Sequence, residues 1–123
     1  HVPKLDAYDE MVAGANLLVG THDFTGFTAS GTTIEYKVRT ITDVTVERKN
    51  EDEVVISFSG NGFLYKQVRN MVGTLIKIGS GKWPARRITE IIKAENRDLA
   101  GPTAPAHGLC LVEVIYRDDV SPE

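Results

Sequence analysis

Residues 34–62 read IEYKVRTITDVTVERKNEDEVVISFSGNG, and the period of this stretch decides the fold. Ile34, Tyr36, Val38, Thr40, Thr42, Val44 and Val46 alternate with Glu35, Lys37, Arg39, Asp43, Thr45 and Glu47. Successive side chains of an extended chain point to opposite faces, so this pattern predicts a long half-buried strand with good β-formers inward. Ile41 alone breaks the alternation. The polar KNED at 49–52 predicts a turn, after which Val54, Ile56 and Phe58 resume the period of two. The two runs make a hairpin, and Gly60-Asn61-Gly62 ends it.

On the upstream side the period is helical. Leu5, Tyr8, Val12, Ala15 and Val19 recur at steps of three and four, which predicts an amphipathic helix with this stripe buried. Asp6 and Asp9 suit the positive end of its dipole, and Gly20 is a natural terminator. The following THDFTGFTASG, at 21–31, reads as a loop or a short edge strand.

Downstream, GNGFLYKQVRNMVG at 60–73 opens a helix expected from about Phe63 to Ile78, with Leu64, Val68, Met71, Val72 and Leu75 as its apolar stripe. On a helical wheel Lys66, Asn70 and Lys77 point away from that stripe. GSGKWP at 79–84 breaks the pattern, and Pro84 suits the first turn of a second helix carrying Ile88, Ile91 and Ile92. GSGK is too short for a phosphate-binding P-loop and reads as a helix connector. The loop NRDLAGPTAPAHG leads to LCLVEVIY, apolar on both faces except at Glu113, as expected of a central strand covered on both sides. The tail RDDVSPE should fray. The order helix, hairpin, helix, helix, strand predicts a single α+β domain over 1–123, an antiparallel sheet with helices packed on one face. The last strand is expected beside the hairpin, in a ferredoxin-like or RRM-like arrangement.

Composition narrows the function classes. The chain has 41% hydrophobic and 25% charged residues, ordinary for a folded domain of 123 residues. No apolar run approaches the roughly 20 residues that span a bilayer. The one cysteine, Cys110, excludes an internal disulfide and reads as a small buried side chain. A soluble, reducing, cytoplasmic setting is the default expectation, and the start at His1 suggests a processed product or an excised piece of a longer protein. Net charge is −3, but residues 66–97 hold eight basic and two acidic residues, a local balance of +6 that leaves −9 elsewhere. Either a solvated helix face or a phosphate-binding patch accounts for that asymmetry.

Familiar catalytic sets do not occur. His1, His22 and His107 lack metal-ligand spacing, and Cys110 lacks a base partner. Arg69 is the unusual residue. The wheel places it on the shoulder of the apolar stripe between Tyr65 and Ile76, with Gly73 one turn later leaving space beside it. A partly desolvated guanidinium needs a carboxylate, a phosphate or carbonyl oxygens. Its partner is either an acid of this domain or a ligand.

Three stretches give the chain a known look: LLVGTHDFTGF at 17–27, GNGFLYKQVRNMVGTLIKIGSGK at 60–82 and AGPTAPAHGLCLVEVIY at 100–116. With Arg39-Thr40-Ile41, they resemble the C-terminal half of the tRNA pseudouridine synthase A family, in order and spacing over nearly the whole chain. The resemblance implies isomerisation of uridine to pseudouridine in the anticodon arm of tRNA, with no cofactor and no metal. It implies a homodimer whose lobes form a tRNA cleft. The nucleophilic aspartate lies in the family's N-terminal half and has no counterpart here, so the fragment alone should be inactive.

Residue by residue, Arg69 matches the arginine that pairs with that aspartate, and Leu109 the leucine that packs on the target base. Phe63 and the GPTAP loop are expected in the same cleft. Lys66, Lys77, Lys82, Arg86 and Arg87 are expected to follow tRNA phosphates. Two positions depart from the family pattern: Gln67, where methionine is expected, and Cys110, where tyrosine is common. The alternative is a non-enzymatic RNA-binding or dimerisation domain of similar fold. The mostly aliphatic inner face of the hairpin counts against base stacking there.

Overall fold

The computed structural model describes residues 6–28, 37–50, 53–63, 66–102 and 110–116. Three helices, α1 (Tyr8–Leu17), α2 (Gln67–Gly79) and α3 (Arg87–Ala94), pack with four strands, β1 (Gly20–Asp23), β2 (Val38–Asn50), β3 (Glu53–Gly60) and β4 (Cys110–Tyr116). Two short 3-10 turns, Thr25–Phe27 and Arg97–Leu99, complete the described elements. The α+β class is as expected.

The hairpin forms as its period predicts. β2 and β3 are antiparallel, with Val44 opposite Phe58, Val46 opposite Ile56 and Arg48 opposite Val54. Thr45 and Glu47, opposite Ser57 and Val55, occupy the other face and are exposed. Ile41 explains its own irregularity. The register passes from Ile41 opposite Gly60 to Asp43 opposite Ser59, two steps on β2 against one on β3. Thr42 is therefore the extra residue of a β-bulge, which lets Ile41 and Val44, three apart, both point into the core. Both are buried, Ile41 completely. The uninterrupted inward face from Val38 to Val46 is corrected accordingly: Thr40 shares the exposed face with Thr21, their hydroxyls 2.8 Å apart. Ile34, Tyr36 and the tip of the KNED turn lie outside the described residues.

The segment after the helical stripe does form an edge strand: β1 pairs antiparallel with β2, Gly20 opposite Ile41. At the other side β4 lies beside β3, as expected, but parallel to it, Val54 opposite Cys110. The sheet order β1-β2-β3-β4 follows the chain, unlike the interleaved order of a ferredoxin-like sheet, and makes β4 an outer strand among the described residues. Apolar pattern reports a strand's surroundings, whereas rank in the sheet is set by backbone pairing, which the pattern does not encode.

One core joins the layers: Ile41, Val44, Val54, Ile56 and Phe58 from the sheet meet Met11, Ala15, Leu18, Met71, Val72, Leu75, Ile78, Ile88 and Ile91 from the helices. Each Val, Leu, Ile, Phe or Met side chain among them contributes about 1.5–3 kcal/mol on full burial. On α1 the buried stripe is Met11, Gly14, Ala15 and Leu18. Of the expected stripe, Ala15 is buried, Tyr8 and Val12 are half-buried, and Val19 is exposed; Leu5 lies outside the described residues. α1 turns Gly14 toward Ile78 and Leu75 of α2, and the large Met11 and Leu18, absent from the expected stripe, are fully buried. A Cβ on Gly14 would stand 3.2 Å from Ile78 Cδ1. Tyr8 is held instead by its hydroxyl, which donates to the Val46 carbonyl at 2.7 Å. Glu10, also from α1, accepts from the Ala85 amide at 2.8 Å and so serves the chain entering α3.

α2 begins at Gln67, four residues later than expected, because Lys66 adopts a left-handed backbone, φ 60°, at the N-cap. Phe63 precedes it in irregular chain, half-buried with its ring edge-on to Phe58 at 6.4 Å. Leu64 and Tyr65 lie outside the described residues. GSGK is a helix connector, as read.

Candidate active site

The stretch that opens α2 is shaped by close backbone approaches. A Cβ on Gly60 would lie 2.5 Å from the Thr40 carbonyl, so only glycine fits there undisturbed. Asn61 then extends the ladder by one rung: its amide donates to Thr40 O at 3.1 Å, and its side-chain oxygen accepts from Thr40 N at 3.0 Å. These contacts fix the chain that carries Phe63 toward Lys66 and Arg69.

α2 is buried nearly all round. Gln67, Asn70, Met71, Val72, Gly73, Thr74, Leu75, Ile78 and Gly79 are all buried. Gln67, the residue that departs from the family pattern, points its amide nitrogen at Met71 Sδ, 4.0 Å away. Asn70 does not face solvent as the wheel placed it. It is fully buried; its Nδ2 donates to the Phe27 carbonyl at 2.7 Å, and its Oδ1 accepts from Arg97 Nη2 at 3.1 Å. The Gly101 amide donates to buried Thr74 Oγ1 at 2.8 Å, and Arg97 Nη1 donates to the Gly101 carbonyl at 2.9 Å. The space beside Gly73 is thus filled by Gly101. A Cβ there would come within 2.9 Å of Gly73 O and 3.0 Å of Thr74 Cα. Each of the three quoted motifs contributes to this junction: Phe27 from the first, Asn70, Gly73 and Thr74 from the second, Gly101 from the third.

Arg69 lies in the first turn of α2, half-buried and engaged by a neighbour within the chain. Gly73, one turn or about 6 Å along the axis, bears the docked Gly101. The first turn holds no acid, and Lys66 sits at the N-cap. Two cations therefore stand at the helix end that already carries the positive pole of the macrodipole, a place that favours a carboxylate or phosphate. Leu109 and residues 103–105 of the GPTAP loop lie outside the described residues, as does the Cys110 side chain.

The remaining basic residues gather at the opposite end of α2, Lys77 being about 12 Å from Arg69 along the axis. Trp83 organises two of them. Arg87 stacks its guanidinium 4.2 Å from the Trp83 ring centre, with Lys77 Nζ at 5.8 Å. Arg87 Nε also donates to Leu99 O at 2.9 Å. Lys66, Lys82 and Arg86 are exposed. Arg86 makes only a loose pair with Glu90, 3.7 Å apart, worth no more than about 0.5 kcal/mol on the surface. The structure thus sets Lys66 and Arg69 at one end of α2 and Lys77, Lys82, Arg86 and Arg87 at the other.

Asn70, Thr74, Arg97 and Trp83 were not singled out from sequence. Asn70 and Thr74 did leave a signal: two uncharged polar residues four apart on one side of a largely apolar helix. A solvated stripe usually carries charge.

Fold and site define an α+β domain whose central helix starts in a cationic end, braced one turn later by a docked glycine loop. The chain belongs to the tRNA pseudouridine synthase family, whose model matches residues 15–117. It is 61% identical over 120 residues to the tRNA pseudouridine synthase A of Streptococcus agalactiae serotype Ia, an alignment covering 97% of this chain and 46% of that protein. Against the tRNA pseudouridine synthase A of Streptococcus pyogenes serotype M1 it is 58% identical over 119 residues, 96% of this chain and 48% of the relative. The chain spans about half the length of these curated relatives. No helix among the described residues is long and apolar enough to cross a membrane.

Proposed function

We propose that this chain is one lobe of a cytoplasmic, homodimeric tRNA pseudouridine synthase acting in the anticodon arm, whose other lobe supplies the nucleophilic aspartate. What supports this reading most is the family match over residues 15–117, with Arg69 half-buried in the first turn of α2. A carboxylate in a water-poor pocket stays ionised only beside a fixed cation, and Arg69 is such a cation, held by neighbours on a buried helix. An incoming aspartate shares or displaces the contact Arg69 makes within this chain. In the reaction the aspartate attacks the flipped-out nucleotide and the bond between C1′ and N1 of uracil breaks. The base rotates, C5 bonds to C1′ as the aspartate carboxylate leaves it, the C5 proton is lost, and N1 takes up a proton. Leu109 and Phe63 supply apolar surface for the flipped base. No cofactor or metal enters.

The test is tritium release from tRNA carrying C5-labelled uridine, using the protein at the relatives' full length. Release is expected; its absence with correctly folded protein and tRNA from the same source would sink the reading.

Lys66, Lys77, Lys82, Arg86 and Arg87 follow tRNA phosphates in this proposal, with Trp83 holding Lys77 and Arg87 in place. Exposed Lys82 and Arg86 are the cleanest to test, because neither supports the core. Replacing both with alanine should weaken tRNA binding about uniformly across tRNA sequences and flatten the salt dependence of log Kd by roughly two contacts. Anisotropy titrations at several salt concentrations read this out. An unchanged slope would remove these two residues from the RNA surface.

A further inference from the structure

The proposed function uses Arg69 and Leu109 but not the junction between them. Arg97 lies at the start of a short 3-10 turn, half-buried, and its guanidinium bridges two segments. Nη1 donates to Gly101 O at 2.9 Å, and Nη2 donates to Asn70 Oδ1 at 3.1 Å. The Gly101 amide is held from the same helix by Thr74 Oγ1 at 2.8 Å, and that hydroxyl lies 3.0 Å from its own acceptor, Asn70 O. Both polar groups of the Gly101 backbone are thereby tied to α2, and the missing Cβ lets the two backbones meet. Asn70, fully buried, is itself anchored to Phe27 O at 2.7 Å. Hydrogen bonds in so dry a setting are stronger and more directional than at a surface.

Gly101 is eight residues before Leu109 and docks one helical turn from Arg69. We propose that Arg97 is a positioning residue. By bridging Asn70 and Gly101 it fixes where the chain leading to Leu109 leaves the helix that carries Arg69. This deepens the reading above and rests on it. The planar fork of arginine makes both bonds at once, whereas lysine can make one. A shift of about 1 Å in a substrate-positioning group can cost roughly 100-fold in rate.

The test uses the full-length protein with Arg97→Ala and Arg97→Lys. Three readouts are needed: kcat and KM for tritium release from tRNA, the thermal midpoint, and hydrogen exchange of the amides from Asp98 to Leu109. Arg97→Ala should lower kcat roughly 10- to 100-fold, leave KM for tRNA within about threefold and the midpoint within a few degrees, and speed exchange in that segment. Arg97→Lys should fall between the two in both kcat and exchange; if the alanine variant does not fold, this graded response carries the test. Unchanged kcat in a variant whose loop exchange has risen overturns the proposal, as does a kcat loss that only tracks unfolded protein. Wild-type protein without tritium release overturns the enzyme reading and this inference with it. An active wild type matched by both Arg97 variants overturns this inference alone.

Discussion

Arg69→Ala in the full-length protein should nearly abolish tritium release from C5-labelled tRNA, by at least about 10²- to 10³-fold, the scale of losing one preorganised charge partner. Binding of tRNA should fall far less, since phosphate contacts spread over several residues supply most of that affinity. The expectation follows from the place of Arg69, half-buried in the acid-free first turn of α2 with Lys66 at the N-cap. A carboxylate arriving there meets a cation that cannot swing away freely, because the chain on both sides of it is packed. Arg69→Lys should restore part of the rate only, lysine offering a point charge without the fork. Release near the wild-type rate in the alanine variant would remove Arg69 from the chemistry.

A large expected effect on stability belongs to Ile41. Ile41→Ala should cost about 2–5 kcal/mol, the range for truncating a fully buried isoleucine. Thr42→Ala should cost about 1 kcal/mol, since Thr42 is only half-buried and loses one hydrogen bond, to Ser59 O at 3.1 Å. Urea unfolding of the two variants separates the bulged strand from a regular one. A regular alternation from Val38 to Val46 puts Thr42 inward and Ile41 outward, so the order of costs would reverse. Equal costs would be fatal to the bulge as described.

Those two residues show where a sequence carries its fold and where it does not. The hairpin was legible because alternation is a direct consequence of pleating, and even the bulge announced itself as a single misplaced isoleucine. The apolar side of α2 was legible for the same reason. Its polar side was not: Asn70 and Thr74 are buried by Phe27 and Gly101, which come from 43 and 27 residues away in sequence. A wheel assumes water wherever no apolar residue stands, and cannot see a loop arriving. The stripe of α1 was misread by a similar limit: Met11 and Leu18 face the core and Gly14 meets α2, an orientation set by neighbours that a wheel does not contain. The parallel pairing and outer rank of β4 are properties of backbone partners, on which side-chain pattern is silent. Arg69 was singled out by its odd company and by family resemblance. Arg97 was hidden because an arginine in a polar loop looks solvated until its two acceptors are known.

The sheet order has a consequence for how the molecule is assembled. β1, β2 and β3 are neighbours in sequence as well as in space, so their pairing closes short loops and can proceed as the chain emerges. β4 must find β3 across the whole of α2 and α3, with Val54 meeting Cys110 only after 56 residues. Non-local pairing of this kind is entropically slow and sets the pace of folding. Residues 103–109 connect the docked Gly101 to that strand. β4 should therefore be among the last parts to take its place, and a chain stalled before this step would have a hairpin and helices without their fourth strand.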